Sequence, residues 1–374
     1  MANNRIINQR TTQSFLKALQ ASIWSYRLDP VFFENLTPDQ WSNIVKMSHI
    51  QTVEGLVCNS IQNLPQELLP NNEILMKWIV RQQRVISYNE DVSKKIAFTQ
   101  SLFDEKGIKS ILLKGNAVAQ YYPNPKLRTG GDVDWYFPKI SDFQRANKLM
   151  AHYGRDFNIH SGSDTDYWLG NVPIEHHSKL INLYNPFVQK FINLFEKEEE
   201  SFVRSISIAG KTVRILSPIA EILLVNSHIL HHQIGNGIGL RQFCDSAILY
   251  KNLYGKYDNE KLIHVFKKLG ILKWIQAHHA ILVDVLEIEE KYLPFSPRKH
   301  SKWNDETLEI ILKVGNFSFF ALNNSGLDSS FSVLSRSIRL FQSFSRNIWV
   351  APMEAVSFPL IQVYSKYIKS FKSN

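Results

Sequence analysis

The sequence predicts an α+β protein in which a small mixed β-sheet is flanked by helical regions on both sides. Three observations lead there. Residues 1–106 place their apolar side chains at helical spacing, residues 107–216 alternate short β-branched runs with brief helices and breakers, and residues 217–374 return to a helical pattern. A chain of 374 residues is longer than one ordinary core needs, which suits three regions with boundaries at 106/107 and 216/217. Its hydrophobic share of 44% and charged share of 21% are those of a soluble globular chain.

In the first region, Thr37-Pro38-Asp39-Gln40 has a capping-box residue at each end and proline at the first helical position, so it should open a helix through Trp41, Ile44, Val45 and Met47. Leu64-Pro65 and Leu69-Pro70-Asn71-Asn72 are breakers. A long helix is predicted over 73–106, because Val85, Val92, Ile96 and Phe103 fall on one helical face. Gly107 suits the left-handed residue that ends a helix.

The mixed region should hold a strand over 108–113 and a short helix over 116–122, broken by Pro123 and Pro125. A strand over 132–137 follows. Ser141-Asp142-Phe143-Gln144 reads as a second capping box opening a helix to about Tyr153. Short strands are expected at 155–161 and 166–170, then a strand over 172–177 carrying Glu175. A helix with an acidic end should span 186–204, and 205–208 and 212–216 should pair as a hairpin across Ala209-Gly210-Lys211. Ser217-Pro218, as N-cap and first-turn proline, opens the last region, with glycine loops at 235–239 and 254–259.

The stretch Gly107 to Phe137 carries the densest chemistry. Lys114-Gly115 ends its first strand, and Gly130-Gly131-Asp132-Val133-Asp134 opens its second. Side chains alternate faces along a strand, so Asp132 and Asp134 point the same way while Val133 enters the core. Two adjacent carboxylates repel, and a divalent cation such as Mg²⁺ removes that cost while keeping sites for water and phosphate.

Leu112-Leu113-Lys114-Gly115, Tyr122-Pro123-Asn124-Pro125, Arg128 and Gly131-Asp132-Val133-Asp134 together resemble the DNA polymerase β-like nucleotidyltransferase superfamily. Within it they are most similar to a large bacterial nucleotidyltransferase family with Leu-Lys-Gly and Gly-Asp-x-Asp motifs. The resemblance extends over most of the chain, through the Trp41 region, the long helix before Gly107 and the histidine-rich helix after residue 217. It departs from the wider superfamily at Lys114, where glycine is usual. The resemblance implies a nucleotidyltransferase core at 107–216 and transfer of a nucleoside monophosphate from an NTP to a hydroxyl, with release of pyrophosphate. It also implies two Mg²⁺ (or Mn²⁺) ions held by Asp132, Asp134 and a third carboxylate, for which Glu175 is the candidate and Asp164 and Asp166 are competitors. On the nucleotide side it implies Lys114 as a point charge for the triphosphate, Gly115 and Gly131 for close backbone approach, and Arg128 either to neutralise phosphate or to brace the loop before Asp132.

Other groupings read more plainly. His228 and His232 share a helix face at a spacing that can bind zinc, but there is no third ligand in sequence and they are expected to face the cleft or core. Of His176 and His177, the one on the Ile174 side is expected to be structural. Arg241 and Asp245, four apart, should form a helix-face pair or line the nucleotide cleft. Gly235-Asn236-Gly237-Ile238-Gly239 lacks the spacing of a dinucleotide fingerprint. Leu360, Tyr364, Tyr367 and Phe371 should form an apolar face of a terminal helix, beside basic residues from Arg336 to Lys372.

Two other functions compete: a nucleotide-sugar glycosyltransferase using Asp132-Val133-Asp134, which would need a strand-rich half ahead of that motif, and a degenerate nucleotidyltransferase-like binding or scaffold protein. The formal net charge of +9 favours anionic partners such as nucleotides, nucleic acid or acidic surfaces, although no lysine/arginine run reads as a nucleic-acid tail. The acceptor is left open among a small molecule, a protein and an RNA. Two cysteines, Cys58 and Cys244, give neither a disulfide framework nor a cysteine metal site. With no long apolar run and no hydrophobic signal core, a cytoplasmic protein without membrane insertion is expected.

Overall fold

A computed structural model describes residues 9–160, 164–235, 237–315 and 343–361. Of the expected apolar face, Tyr364, Tyr367 and Phe371 lie outside them, as do the basic residues Arg336, Arg339, Lys366, Lys369 and Lys372. In chain order the structure has α1 (Arg10–Trp24), α2 (Pro38–Ile50), α3 (Glu54–Ile61), α4 (Asn72–Glu105), β1 (Ile111–Leu112), α5 (Lys114–Ala119), β2 (Val133–Tyr136) and α6 (Ile140–Met150). Then come β3 (Arg155–His160), β4 (Asp164–Leu169), β5 (Val172–His177), α7 (Gln189–Glu199), β6 (Arg204–Ile208) and β7 (Lys211–Ile215). The helices α8 (Pro218–Gly235), α9 (Leu240–Leu253), α10 (Asn259–Lys268), α11 (Leu272–Leu286) and α12 (Lys302–Val314) follow, with further helical turns within 343–347 and 352–361. The protein is α+β, as its sequence pattern predicts.

The strands form one mixed sheet in the order β3-β4-β5-β2-β1-β7-β6. β2 pairs with β5 in parallel, and so does β1 with β7; the remaining pairs are antiparallel. Alternation along β2 and β5 divides the sheet's two faces. Val133, Trp135, Ile174 and His176 face a core built with α4 and α6, in which Phe103 meets Trp135, Phe137 and His176 edge-on. Asp134, Tyr136, Glu175 and His177 take the opposite face, where Tyr136 joins the large core shared by α1–α3 and α8–α12.

Local signals explain most boundaries. Both bonds of the Thr37/Gln40 capping box form, Ser217 accepts from the amide of Ala220, and Val85, Val92, Ile96 and Phe103 are buried along α4. Four boundaries differ from the pattern. β1 is shorter than 108–113 because the helix cap consumes its start: Gly107 takes a φ of +61° and the amide of Ile108 donates to the carbonyl of Phe103 at 2.8 Å. α5 begins at Lys114 rather than Asn116, directly off the strand. Ser141 caps nothing, because α6 starts before it with Lys139 as N-cap and Ser141 already inside the first turn. The expected helix over 186–204 is α7 between two 3-10 turns; its carboxylates oppose the negative end of the helix dipole there, and Lys261 holds Glu198 and Glu199 at 2.7 Å each. No helix among the described residues is long and apolar enough to cross a membrane.

The large core contains ionisable groups that folding keeps neutral. His278 on α11 is fully buried, stacked on Trp274 and 3.0 Å from the Ser246 hydroxyl. Burial pushes its imidazole down to about 3, against an unfolded value of about 6.5. The unfolded chain therefore binds a proton there that the folded chain refuses. The stability tied to this group is fully present above about pH 6.5 and is lost progressively as pH falls toward 3. Replacing it, as His278→Gln, should flatten the slope of unfolding free energy against pH by about 1.4 kcal/mol per unit within that window. Urea unfolding at pH 7.5, 6 and 5 measures the slope, and equal slopes in the two proteins would contradict the assignment.

Candidate active site

The site forms where β1 ends, β2 begins and β5 runs beside it. In-register pairing of β2 with β5 sets Asp134 opposite Glu175, and alternation along β5 brings His177 to the same face. Donor atoms of Asp134, Glu175 and His177 all lie within 4.8 Å of one another. Asp132 stands just before β2, with its carbonyl accepting from the Asn116 amide at 2.8 Å and the preceding Gly131 carbonyl accepting from the Tyr88 hydroxyl at 2.9 Å. The backbone of Asp132 is thus fixed at the mouth of β2, while its carboxylate is not part of the group that Asp134, Glu175 and His177 form.

Asp134 is only 2% exposed. Its Oδ1 accepts from the Lys114 ammonium at 2.8 Å and meets His177 Nε2 at 2.8 Å. Burial alone would push this carboxyl up, but Lys114 and His177 overcome burial and hold it well below the usual range. The neighbours respond in the opposite sense. Asp134, followed by burial, raises Asp132; burial, with Asp134 and Asp132, pushes Glu175 up to about 7. His177 is depressed by burial but raised to about 9 by its bonds to Asp134 and Asp164.

Lys114 occupies a left-handed backbone conformation, φ +47°. Glycine adopts it freely, whereas a side chain there costs on the order of 1–2 kcal/mol. What lysine gains for that strain is an ammonium on a buried carboxylate. Gly115 makes room for a side chain: a Cβ on it would lie 3.0 Å from both terminal nitrogens of Arg128. A Cβ on Gly131 would meet nothing within 4 Å, so the backbone there is open.

Of the two expectations for Arg128, the geometry matches the brace. Its guanidinium is 5% exposed and forks onto Asp245 of α9, Nε to Oδ1 and Nη2 to Oδ2, each at 2.7 Å. Tyr122 donates to the same Oδ1 at 2.8 Å. Asp245 is therefore not the partner of Arg241, as the four-residue spacing suggests. Arg241 instead donates to the Thr129 carbonyl at 2.7 Å, leaving its buried Nε without a partner. Burial, with Arg128 nearby, lowers it to about 10. Asn89 of α4 holds the carbonyls of Lys126 and Arg128 at 2.7 Å each. The loop into Asp132 is thus fastened from α4 on one side and α9 on the other.

The competitors for the third carboxylate sit farther out. Asp164 contacts His177 Nδ1 at 3.0 Å, on the side of the ring away from Asp134, and Asp166 bonds Asn158 and His160. His176 is the structural histidine, fully buried between Tyr167 and Asn147. His228 and His232 touch edge-on with ring centres 4.2 Å apart; burial first, then Lys114, pushes His228 well below its usual value. Among the described residues the zinc reading gains no third ligand, because the metal-capable group is Asp134, Glu175 and His177. Sequence reasoning did not pick out His177 for the site, although its spacing of two from Glu175 was visible. It also did not pick out Tyr88, Asn89 or Asn116.

The mixed sheet brings Asp134 and Glu175 into register across two parallel strands, beside a helix that starts at Lys114-Gly115. The chain belongs to the Uncharacterised nucleotidyltransferase family, whose sequence profile matches residues 37–284. No curated protein matches it. An antigenic nucleotidyltransferase-like protein from Paracoccidioides brasiliensis aligns over 55% of this chain and 93% of its own, at 13% identity and a TM-score of 0.30. The glycosyltransferase alternative fails on the order of elements: β1 is the one strand ahead of Asp132 among the described residues.

The Arg128–Asp245 pair makes a testable demand on stability. Arg128→Ala should cost about 3–5 kcal/mol, because it leaves Asp245 buried and uncompensated. The joint replacement Arg128→Met with Asp245→Leu should recover at least half of that loss, since an apolar pair of similar volume carries no desolvation cost. Urea denaturation of the three variants decides it, and equal losses in the single and joint variants would contradict the account.

Proposed function

We propose that the protein is a metal-dependent nucleotidyltransferase that moves a nucleoside monophosphate from an NTP to a hydroxyl acceptor and releases pyrophosphate. The observation that carries this reading is the in-register placement of Asp134 and Glu175 beside Asp132, with His177 on the same face. The donor set fits Mg²⁺ or Mn²⁺: oxygen-rich, compact and partly open. When bound, such ions would polarise the phosphoryl oxygens and clamp the attacking and leaving oxygens of an in-line displacement.

The chain's own groups divide the remaining work. The acceptor oxygen attacks the α-phosphorus, the bond to the bridging oxygen breaks, and pyrophosphate leaves with that electron pair. Glu175, on the same face as Asp134, takes the hydroxyl proton. Lys114 passes from Asp134 to the triphosphate as a point charge. Gly131 leaves the backbone open to the nucleotide, and Arg128 acts by holding the loop that aims Asp132. Arg241, which donates to the Thr129 carbonyl of that loop, supplies further positive field.

One observation favours a second reading. Lys114 and His177 already compensate Asp134 without any metal, so a degenerate domain binding nucleotide through cations alone is coherent. Pyrophosphate release and transfer of α-labelled NTP separate the two. Each of the four NTPs is tested with Mg²⁺ or Mn²⁺ against a cell-extract acceptor pool. Transfer should require metal and fall by more than about 100-fold in Asp132→Ala/Asp134→Ala, since even groups behind a metal ligand are worth roughly 10–100-fold. Nucleotide binding that needs no metal, without transfer, would replace this reading with the second.

A further inference from the structure

We propose that His177 is itself a ligand of the catalytic metal, through Nε2, and that Asp164 is the positioning residue that keeps it in the ligating tautomer. The inference deepens the function just proposed and rests on that site holding a divalent ion. The three-carboxylate set that the resemblance implies would leave His177 outside the coordination sphere.

The geometry points to a mixed oxygen–nitrogen set. His177 Nε2 lies 2.8 Å from Asp134 Oδ1 and 3.4 Å from Glu175 Oε2. Ligands about 2.1 Å from an octahedral ion are about 3.0 Å apart when adjacent and about 4.2 Å apart when opposite. The two observed separations bracket the adjacent value, and all donor atoms of the group lie within 4.8 Å of one another. A nitrogen this close to both carboxylates stands where a neighbouring ligand would stand. An ion bound there would take the place of a proton between Nε2 and Asp134.

The other side of the ring carries a second feature of metal-binding histidines. Nδ1 lies 3.0 Å from Asp164 Oδ1, and Asp164 faces His177 directly across the β4–β5 register. A carboxylate accepting the proton of one ring nitrogen fixes the lone pair on the other and aims it at the ion. β5 therefore supplies two donors from one face, Glu175 and His177, and β4 supplies the orienting group.

An imidazole ligand also changes which ion the site prefers. Mg²⁺ favours oxygen donors, whereas nitrogen donors raise affinity for first-row transition ions. The site should therefore hold Mn²⁺ more tightly than Mg²⁺ by a margin that His177 provides.

The test is pulsed electron paramagnetic resonance of Mn²⁺ bound to the full chain, alone and with inorganic tripolyphosphate, which contributes no nitrogen. A ¹⁴N coupling should appear in the wild type and change to the ¹⁵N pattern when the protein is made with ¹⁵N-histidine, a readout that needs no variant to fold. In His177→Gln the coupling should vanish and Mn²⁺ affinity should fall at least 10-fold, with a smaller fall for Mg²⁺. Asp164→Asn should keep the coupling while weakening Mn²⁺ binding by about 10-fold, without lowering the thermal midpoint of the metal-free protein. His228→Ala/His232→Ala should keep both coupling and affinity. Mn²⁺ bound in a manner that Asp134→Asn abolishes, but with no nitrogen coupling, would overturn the role of His177 and leave nucleotidyl transfer standing. A coupling that survives in His177→Gln would also overturn it. Absence of any Mn²⁺ binding would remove the metal dependence of the proposed function and this inference with it.

Discussion

A carboxylate buried to 2% exposure must be compensated, and the compensation of Asp134 organises the centre of this protein. An isolated ionised group in that position would lose its charge rather than bear the desolvation cost. Lys114 and His177 both reach its Oδ1 at 2.8 Å and keep it ionised. One comes from the end of β1 and the other from β5, so the two strands that flank β2 are tied to it by charge as well as by backbone bonds. The same interaction sets the neighbours: an ionised Asp134 is what raises Asp132, and, after burial, Glu175. The site thus holds one firmly ionised carboxylate beside two whose proton affinity is raised.

The second constraint acts on the loop rather than on the strand. Residues 123–131 contain two prolines and two glycines, and Asn124 caps a proline-led turn within them. Beyond that local turn, the loop is held by its neighbours. Asn89 holds two of its carbonyls from α4, Tyr88 holds a third, and Arg128 anchors it to Asp245 on α9. α3 presses from behind, where a Cβ on Gly55 would lie 2.5 Å from the Leu127 carbonyl. The helices before and after the sheet therefore shape the site as directly as the strands do. A buried Arg–Asp fork adds little net stability compared with an apolar pair. Its planar geometry does fix the orientation of the chain that enters Asp132.

These two constraints were not equally legible in the sequence. The strand-borne part was so in part: a period of two puts Glu175 and His177 on one face of β5 and sends His176, with Ile174, to the other. What the sequence did not show was the register to β2, which sets Glu175 opposite Asp134 and so brings His177 to the acid. The clamp was not legible, because Arg128 and Asp245 are 117 residues apart. Asp245 had a plausible local partner in Arg241 four residues earlier, and the long-range fork prevailed because it satisfies both carboxylate oxygens with two guanidinium nitrogens in a buried place. Capping signals divided along similar lines. Thr37 caps because an extended residue precedes a proline-led turn, whereas Ser141 falls inside a helix that had already begun at Ile140.

Lys114 joins the two kinds of information. Its φ of +47° belongs to a position that glycine would fill without strain, and glycine is what the wider superfamily resemblance leads one to expect there. A glycine would relieve the backbone but leave Asp134 with only a histidine for compensation. The lysine reverses that balance: about 1–2 kcal/mol of backbone strain is accepted so that a cation can stand at the junction of strand and helix. From there the ammonium holds the buried carboxylate at 2.8 Å. A flexible ammonium can change partners without moving the chain, which a rigid guanidinium fork cannot do. The two kinds of cation therefore differ: Arg128 is locked in a planar fork, where the loop needs a permanent shape, and Lys114 is a single flexible charge on Asp134.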